Sequence, residues 1–126
     1  MRVLLTGANG FIGAHLTAAL LTAGHKVVAA VRDPEHLARR FPAAEAVAAD
    51  VNLDVTAAAW LPRLEGVDAV VNCAGVLQGG LGQDMEAIHH LAPAALFDAC
   101  LAARVKRVIQ ISAISADAEA GSDYAL

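Results

Sequence analysis

The stretch Arg2-Val3-Leu4-Leu5-Thr6-Gly7-Ala8-Asn9-Gly10-Phe11-Ile12-Gly13 decides how this chain is read. Val3, Leu4 and Leu5 form an apolar run long enough for a buried strand. The run enters three glycines spaced three apart, Gly7, Gly10 and Gly13. From Phe11 to Ala23, the residues Ile12, Leu16, Ala19, Leu20 and Ala23 recur at helical spacing. A strand, a glycine turn and a helix N-terminus together make an anion site, because free backbone N–H groups and the positive end of the helix dipole face one point. In such a site Gly7 permits the tight turn, Gly10 lets a pyrophosphate approach the backbone, and Gly13 lets helix and strand pack closely. The spacing is G-x-x-G-x-x-G rather than G-x-G-x-x-G, so the same residues also fit a β–α turn that binds nothing. The rest of the chain decides between the two.

Working outward, strands and helices alternate. Gly24 stops the first helix, and Val27 to Val31 reads as a second strand. Asp33-Pro34 opens a short helix to about Phe41, with Pro34 suited to its first turn. Ala46 to Ala49 is a third strand, running into Asp50-Val51, and Val55 to Leu64 is a helix broken or ended near Pro62. Val67 to Cys73 makes a fourth strand, followed by Ala74-Gly75. A polar loop, Gln78 to Gln83, leads to a long helix from about Asp84 to Ala103, whose Pro93 kinks it or delays its regular start. Val108 to Ile111 is a fifth strand, and the tail from Ser112 is polar and acidic.

Five strands separated by helices imply a doubly wound α/β fold: a parallel sheet in the order 3-2-1-4-5, with helices on both faces. Ligands of such sheets bind beyond the carboxyl ends of the strands, where the order reverses between strands one and four. Gly7 to Gly13, Arg32, Asp50, Asn72 to Gly75 and Ser112 all fall at those ends. That clustering predicts a site.

At 126 residues the chain is one domain with room for a real core, and 57% of it is apolar with few aromatics, which suits close packing of helix on sheet. The net charge of −4 and the lack of a basic stripe argue against nucleic acid as a partner. No apolar run reaches the roughly 18 residues of a membrane span, and the N-terminus enters a strand rather than a leader segment. Cys73 and Cys100 form no C-x-x-C pair and suit reduced thiols, so a cytoplasmic location is expected.

Thr6-Gly7-Ala8-Asn9-Gly10-Phe11-Ile12-Gly13, Asp50-Val51, Asn72-Cys73-Ala74-Gly75 and the run Val105 to Ser112 together resemble the extended or atypical short-chain dehydrogenase/reductases. Within them the chain is most similar to NAD(P)-binding proteins related to sugar-nucleotide epimerases and to the complex I accessory subunit of the same Rossmann-like fold. The likeness covers essentially the whole chain. It implies that Gly7, Gly10 and Gly13 hold the pyrophosphate, with Phe11 and Ile12 supplying N–H groups. It implies that Asp50 accepts a hydrogen bond from the adenine amino group beside Val51, and that Ala74 and Gly75 line the ribose and nicotinamide side. Without the resemblance, Asp50 reads as a solvated carboxylate or a helix cap.

Cofactor preference turns on the end of the second strand. An NAD site places a carboxylate there for the ribose hydroxyls, whereas a cation suits the 2′-phosphate of NADP. Val31 stands where the acid is expected and Arg32 follows, with Arg39 and Arg40 on the next helix. NADP(H) is therefore favoured over NAD(H). Against it stand Asp33, which can swing toward a ribose, and the alternative of Arg39 and Arg40 as a solvated helix face.

Catalysis in the family uses a tyrosine, a lysine four residues later that lowers its pKa, and an upstream serine. Tyr124 is the only tyrosine, and Ser112 and Ser115 follow the fifth strand, while Ala113 is also aligned with the serine position. The sequence ends at Leu126, before a lysine at 128, so no turnover is expected of this chain. An N-terminal portion of a longer protein is expected in preference to a naturally small domain, since the fifth strand is left as an edge. A homodimer stays open.

The remaining conspicuous residues have plainer readings. His89 and His90 lack a third ligand at metal spacing. Cys73 is a packing residue and Trp60 a core anchor. Arg104, Lys106 and Arg107 serve the C-terminus of the long helix. Two functions follow: the cofactor half of an NADP-dependent reductase, epimerase or dehydratase, or a non-catalytic NADPH-binding module that senses redox state or supports a complex.

Overall fold

The computed structural model describes residues 1–74 and 90–111. The elements are β1 (Arg2–Thr6), α1 (Phe11–Thr22), β2 (Lys26–Val31), α2 (Pro34–Arg40), β3 (Glu45–Ala48), α3 (Ala57–Trp60) with a 3-10 turn at Leu61–Leu64, β4 (Ala69–Asn72), α4 (Ala92–Ala103) and β5 (Arg107–Gln110). The five strands form one sheet in the order β3-β2-β1-β4-β5, and every neighbouring pair is parallel.

Both faces of the sheet are covered at β1, β2 and β4, which is why these strands are continuous apolar runs rather than alternating ones, whereas β5 stands exposed among the described residues. Successive side chains on a strand point to opposite faces. Leu4, Val28 and Val70 therefore enter one core with Trp60, Leu64, Leu96 and Cys100, on the side of α3 and α4. Val3, Leu5, Ala29, Val31 and Val71 enter the other with Leu37, Leu16 and Leu20, on the side of α1 and α2. Trp60 anchors the first core with no exposed surface.

The register brings the strand ends level. Thr6 of β1 lies beside Asn72 of β4, and Asn72 beside Gln110 of β5. Their side chains form a chain across three strands: the Thr6 hydroxyl donates to Asn72 Oδ1, and Asn72 Nδ2 donates to Gln110 Oε1 at 2.7 Å. Thr6 and Asn72 are buried and their pairing is satisfied only in one register, so it pins β1 against β4 where the carboxyl ends meet, with exposed Gln110 completing the row.

Helix ends follow local chemistry. The side chain of Asp33 accepts the His36 N–H at 3.1 Å and caps α2, with Pro34 in the first turn. Gly24, at φ 90°, ends α1. Arg104 does the same for α4 at φ 57°, where its main chain turns left-handed and Val105 N–H reaches the Cys100 carbonyl at 3.0 Å. The expected basic cap is thus a backbone cap at Arg104 alone, because Arg107 already belongs to β5 and Lys106 N–H bonds to the Asp68 carbonyl.

Several boundaries shift from expectation. The helix expected over 55–64 is two short pieces, because Pro62 lies at the start of the 3-10 turn and cannot donate into an α-helical ladder. The fourth strand is shorter than expected, since only Ala69–Asn72 pair with β1 and β5. The described α-helix of the long segment begins at Ala92 with Pro93 in its first turn, continuing a π turn at residues 90–91. Its expected start near Asp84 lies outside the described residues.

Candidate functional site

The loop between β1 and α1 is built by glycines under unequal constraint. Gly7 sits at φ 69°, and a Cβ there would meet the Cys73 carbonyl carbon and oxygen at 2.7 Å and Ala74 N at 2.8 Å. A Cβ on Gly13 would come within 1.9 Å of the Gly7 carbonyl oxygen. Gly10 is different: its nearest contact would be 3.3 Å, to Gly7 O. Gly7 and Gly13 are therefore demanded by the chain's own packing, whereas Gly10 leaves open room beside the helix start. Gly10 is the N-cap of α1, no side chain caps that end, and no acid occupies its first turn. Among the described residues, the first N–H groups, at Phe11 and Ile12, meet no competing carboxylate, and the Phe11 ring stands 81% exposed, edge-on to His15. This is the arrangement a bound phosphate requires.

The next strand end supplies cations. Arg32 follows β2 and is exposed, while the Asp33 carboxylate is turned back to cap its own helix. Arg40 Nη1 approaches the Asn9 carbonyl of the glycine loop at 3.5 Å, and its guanidinium lies 5.4 Å from the centre of the Phe41 ring. Arg39 is exposed on the last turn of α2. Of the two helix arginines, Arg40 is the one that reaches the loop.

Beyond β3 a cleft of about 240 Å³ is lined by Arg32, Ala48, Ala49, Asp50, Asp54 and Arg63, with Leu53 at its rim. Asp50 Oδ1 accepts from Asn52 N and Nδ2 at 2.9 and 3.0 Å. Its Oδ2 takes no hydrogen bond among the described residues, which leaves it for a donor in the cleft. Val51 is half-buried and packs against the core beneath. Asp54 Oδ2 accepts the Asp50 N–H at 2.7 Å and pairs with Arg63 Nη2 at 3.1 Å. Arg63 and Asp54 had no place in the sequence reading, because nothing in their spacing marks them.

At the end of β4 the Thr6 hydroxyl accepts from Cys73 N and Ala74 N at 3.2 and 3.3 Å. The strand's continuation is thereby tied to the start of the glycine loop. Ile111 N–H donates to the Asn72 carbonyl at 3.1 Å and keeps the end of β5 alongside. Burial pushes the Cys73 and Cys100 thiols up to about 11, so both are neutral packing groups at pH 7. Gly75, Ser112, Ser115 and Tyr124 lie outside the described residues, as do His89 and Ala113. Among the described residues, no three His, Cys, Asp or Glu side chains gather at metal-binding distance, and no helix is long and apolar enough to cross a membrane.

The glycine loop, Arg32 with Arg40, the Asp50 cleft and Ala74 thus border the carboxyl ends of β1 to β4, spanning the switch in strand order. A family model described as NAD(P)H-binding matches residues 7–125. The dihydroflavonol 4-reductase of Zea mays is 38% identical over 74 residues, which make up 59% of this chain and 21% of that one. A 3 beta-hydroxysteroid dehydrogenase/Delta 5-->4-isomerase of Mycobacterium tuberculosis is 37% identical over 78 residues, 61% of this chain and 20% of its own. Among solved structures, an oxidoreductase from Lactococcus lactis superposes with a TM-score of 0.76 at 27% identity, covering 94% of this chain and 51% of that one. MoeE5, solved in complex with UDP-glucose and NAD, superposes with a TM-score of 0.73 at 30% identity, over 96% of this chain and 39% of its own. The chain spans about half or less of each solved structure and about a fifth of each of the two curated relatives.

Proposed function

From a chain that belongs to the NAD(P)H-binding family, we propose a domain that holds NADP(H), in preference to NAD(H), for a reductase- or epimerase-type reaction on a hydroxyl or carbonyl substrate. When bound, the nicotinamide supplies the hydride acceptor or donor. The chain's own residues supply the frame. Gly7, Gly10 and Gly13 with the N–H groups of Phe11 and Ile12 take the pyrophosphate, Asp50 and Val51 the adenine, and Ala74 and Gly75 the nicotinamide side. Tyr124 is the proposed proton-transfer group, with Ser112 or Ser115 holding the substrate oxygen.

One observation carries the cofactor preference. The only carboxylate immediately after β2, that of Asp33, is engaged as the cap of α2, and the cation Arg32 is left lining the cleft. A guanidinium paired with a phosphate contributes about 1.5–3 kcal/mol, roughly a ten- to hundredfold difference in affinity. Titration of the purified chain with NADPH and NADH, followed by nicotinamide fluorescence, tests this. NADPH should bind tighter by about tenfold or more, and Arg32→Ala should erase the difference. NADH binding tighter would return the ribose contact to Asp33. Failure of both nucleotides to bind would leave the glycine turn as a purely structural device.

A further inference from the structure

The loop after β3 is braced by a pair of residues with no role in the frame described above. Arg63 lies in the 3-10 turn, its guanidinium 4.8 Å from the centre of the buried Trp60 ring. Trp60 Nε1 in turn donates to the Asp54 carbonyl at 2.8 Å. Arg63 Nη2 meets Asp54 Oδ2 at 3.1 Å, and the same oxygen accepts the Asp50 N–H at 2.7 Å. Arg63 Nη1 is buried with no hydrogen-bond partner among the described residues. The guanidinium is therefore committed to the loop by one nitrogen and a ring stack, at the expense of leaving the other unsatisfied. What it braces is the main chain of Asp50, whose Oδ2 takes no hydrogen bond among the described residues.

We propose that Arg63 is a positioning residue for base recognition. By fixing Asp54 it holds the Asp50 main chain, so that the carboxylate gripped at Oδ1 by Asn52 stays opposite the exocyclic amino group of adenine, and so sets a preference for adenine over a 6-oxo purine. The assignment rests on Asp50 as the adenine acceptor. A carboxylate held in place accepts from an amino group and repels the carbonyl oxygen that hypoxanthine carries there. A carboxylate free to swing reaches the N1–H of hypoxanthine instead, and the discrimination fades.

The test compares the affinity of the full chain for NADPH and for its hypoxanthine analogue, or for NADH and its analogue if NADH binds tighter. The unaltered chain should prefer adenine. Arg63→Met should narrow that preference by about three- to tenfold, the worth of one well-placed hydrogen bond, and Arg63→Lys should restore part of it. A brace with a merely structural role would weaken both nucleotides equally and leave their ratio unchanged; that result overturns the inference while sparing the Asp50 assignment. Equal binding of the two bases by the unaltered chain, or no binding of any dinucleotide, removes both. If Arg63→Met does not fold, Asp54→Asn takes its place, since it keeps an oxygen for the Asp50 N–H while removing the charge that holds Arg63. An unchanged ratio there is equally fatal.

Discussion

Replacing Gly13 and Gly10 in turn with alanine separates a glycine the fold demands from one the proposed ligand site demands. The added methyl would stand 1.9 Å from the Gly7 carbonyl oxygen and 2.7 Å from its carbon, where ordinary contact begins at 3.4 Å. Helix start or loop must therefore move by about 1.5 Å, the difference between those two distances, and both sides are backbone with no rotamer to give way. Forced overpacking costs about 1–3 kcal/mol and sometimes more. Against this, alanine gains about 1 kcal/mol of helix propensity at a position inside α1. A rigid backbone clash belongs at or beyond the top of the overpacking range, so the net loss is about 2 kcal/mol. For a domain of this length that is roughly 8 °C in melting temperature. Gly10→Ala is the companion. Its methyl meets one atom at 3.3 Å and its φ of −74° suits any residue, so it should cost no more than about 1 kcal/mol of stability. It does fill the space beside the uncapped helix start, and should weaken dinucleotide binding by about tenfold or more. Circular dichroism melts and a NADPH titration of both variants provide the readout. A Gly13→Ala protein that melts with the unaltered chain, or a Gly10→Ala protein that binds as well as it does, would refute the division of labour.

Other perturbations should behave as follows. Trp60→Ala empties the centre of one core and should lose about 3–5 kcal/mol in a denaturant melt followed by circular dichroism, whereas Trp60→Phe, which removes the Nε1 bond to Asp54 and part of the buried ring, should lose less, about 2–3 kcal/mol. Asp33→Ala removes the cap of α2 and should cost about 1 kcal/mol while leaving NADH affinity unchanged; a selective fall in NADH binding would show that Asp33 serves a ribose. The thiols carry a pH signature. Burial lets Cys73 and Cys100 hold their protons in the folded chain up to about 11, above the ordinary thiol value of 9.0. Between those values the unfolded chain binds fewer protons than the folded one, so their contribution to stability is complete below pH 9 and is lost as pH rises toward 11. Alkylation of the folded chain should accordingly stay slow at pH 8 and quicken only above about pH 10.

What could be read in advance follows from which contacts are local. The Gly7–Gly13 loop, the Asp33-Pro34 helix opening and the runs at Val3 to Leu5, Val27 to Val31 and Val67 to Val71 speak through neighbours in sequence, and the strand order follows from their alternation with helices. The family resemblance drawn from those motifs agrees with the family match over residues 7–125. The third strand is harder: Glu45–Ala48 is short, and it becomes a strand because β2 offers it a parallel edge. Contacts that depend on strand register were not legible. Arg40 meets Asn9 across 31 residues, Asn72 meets Gln110 across 38, and Thr6 meets Asn72 across 66. The brace of Arg63 on Asp54 is closer in sequence but depends on the chain turning at Pro62, which breaks helical spacing. Two arginines side by side, Arg39 and Arg40, look alike as letters; only the pitch of α2 decides which one reaches the glycine loop.

The Thr6 hydroxyl joins the glycine loop to the end of β4, and Gly7 lies against the backbone of Cys73 and Ala74 with no space for even a methyl group. The glycine loop and the end of β4 at Cys73 and Ala74 therefore share one wall. In the proposed site, a ligand with two halves meets a frame whose spacing is set at this wall, so docking of one half presents the other at a high effective concentration. Mononucleotides that carry either half alone should bind far more weakly than the intact dinucleotide, and their mixture should not recover its affinity. Covalent continuity of the ligand would then be what the shared wall at Gly7 rewards.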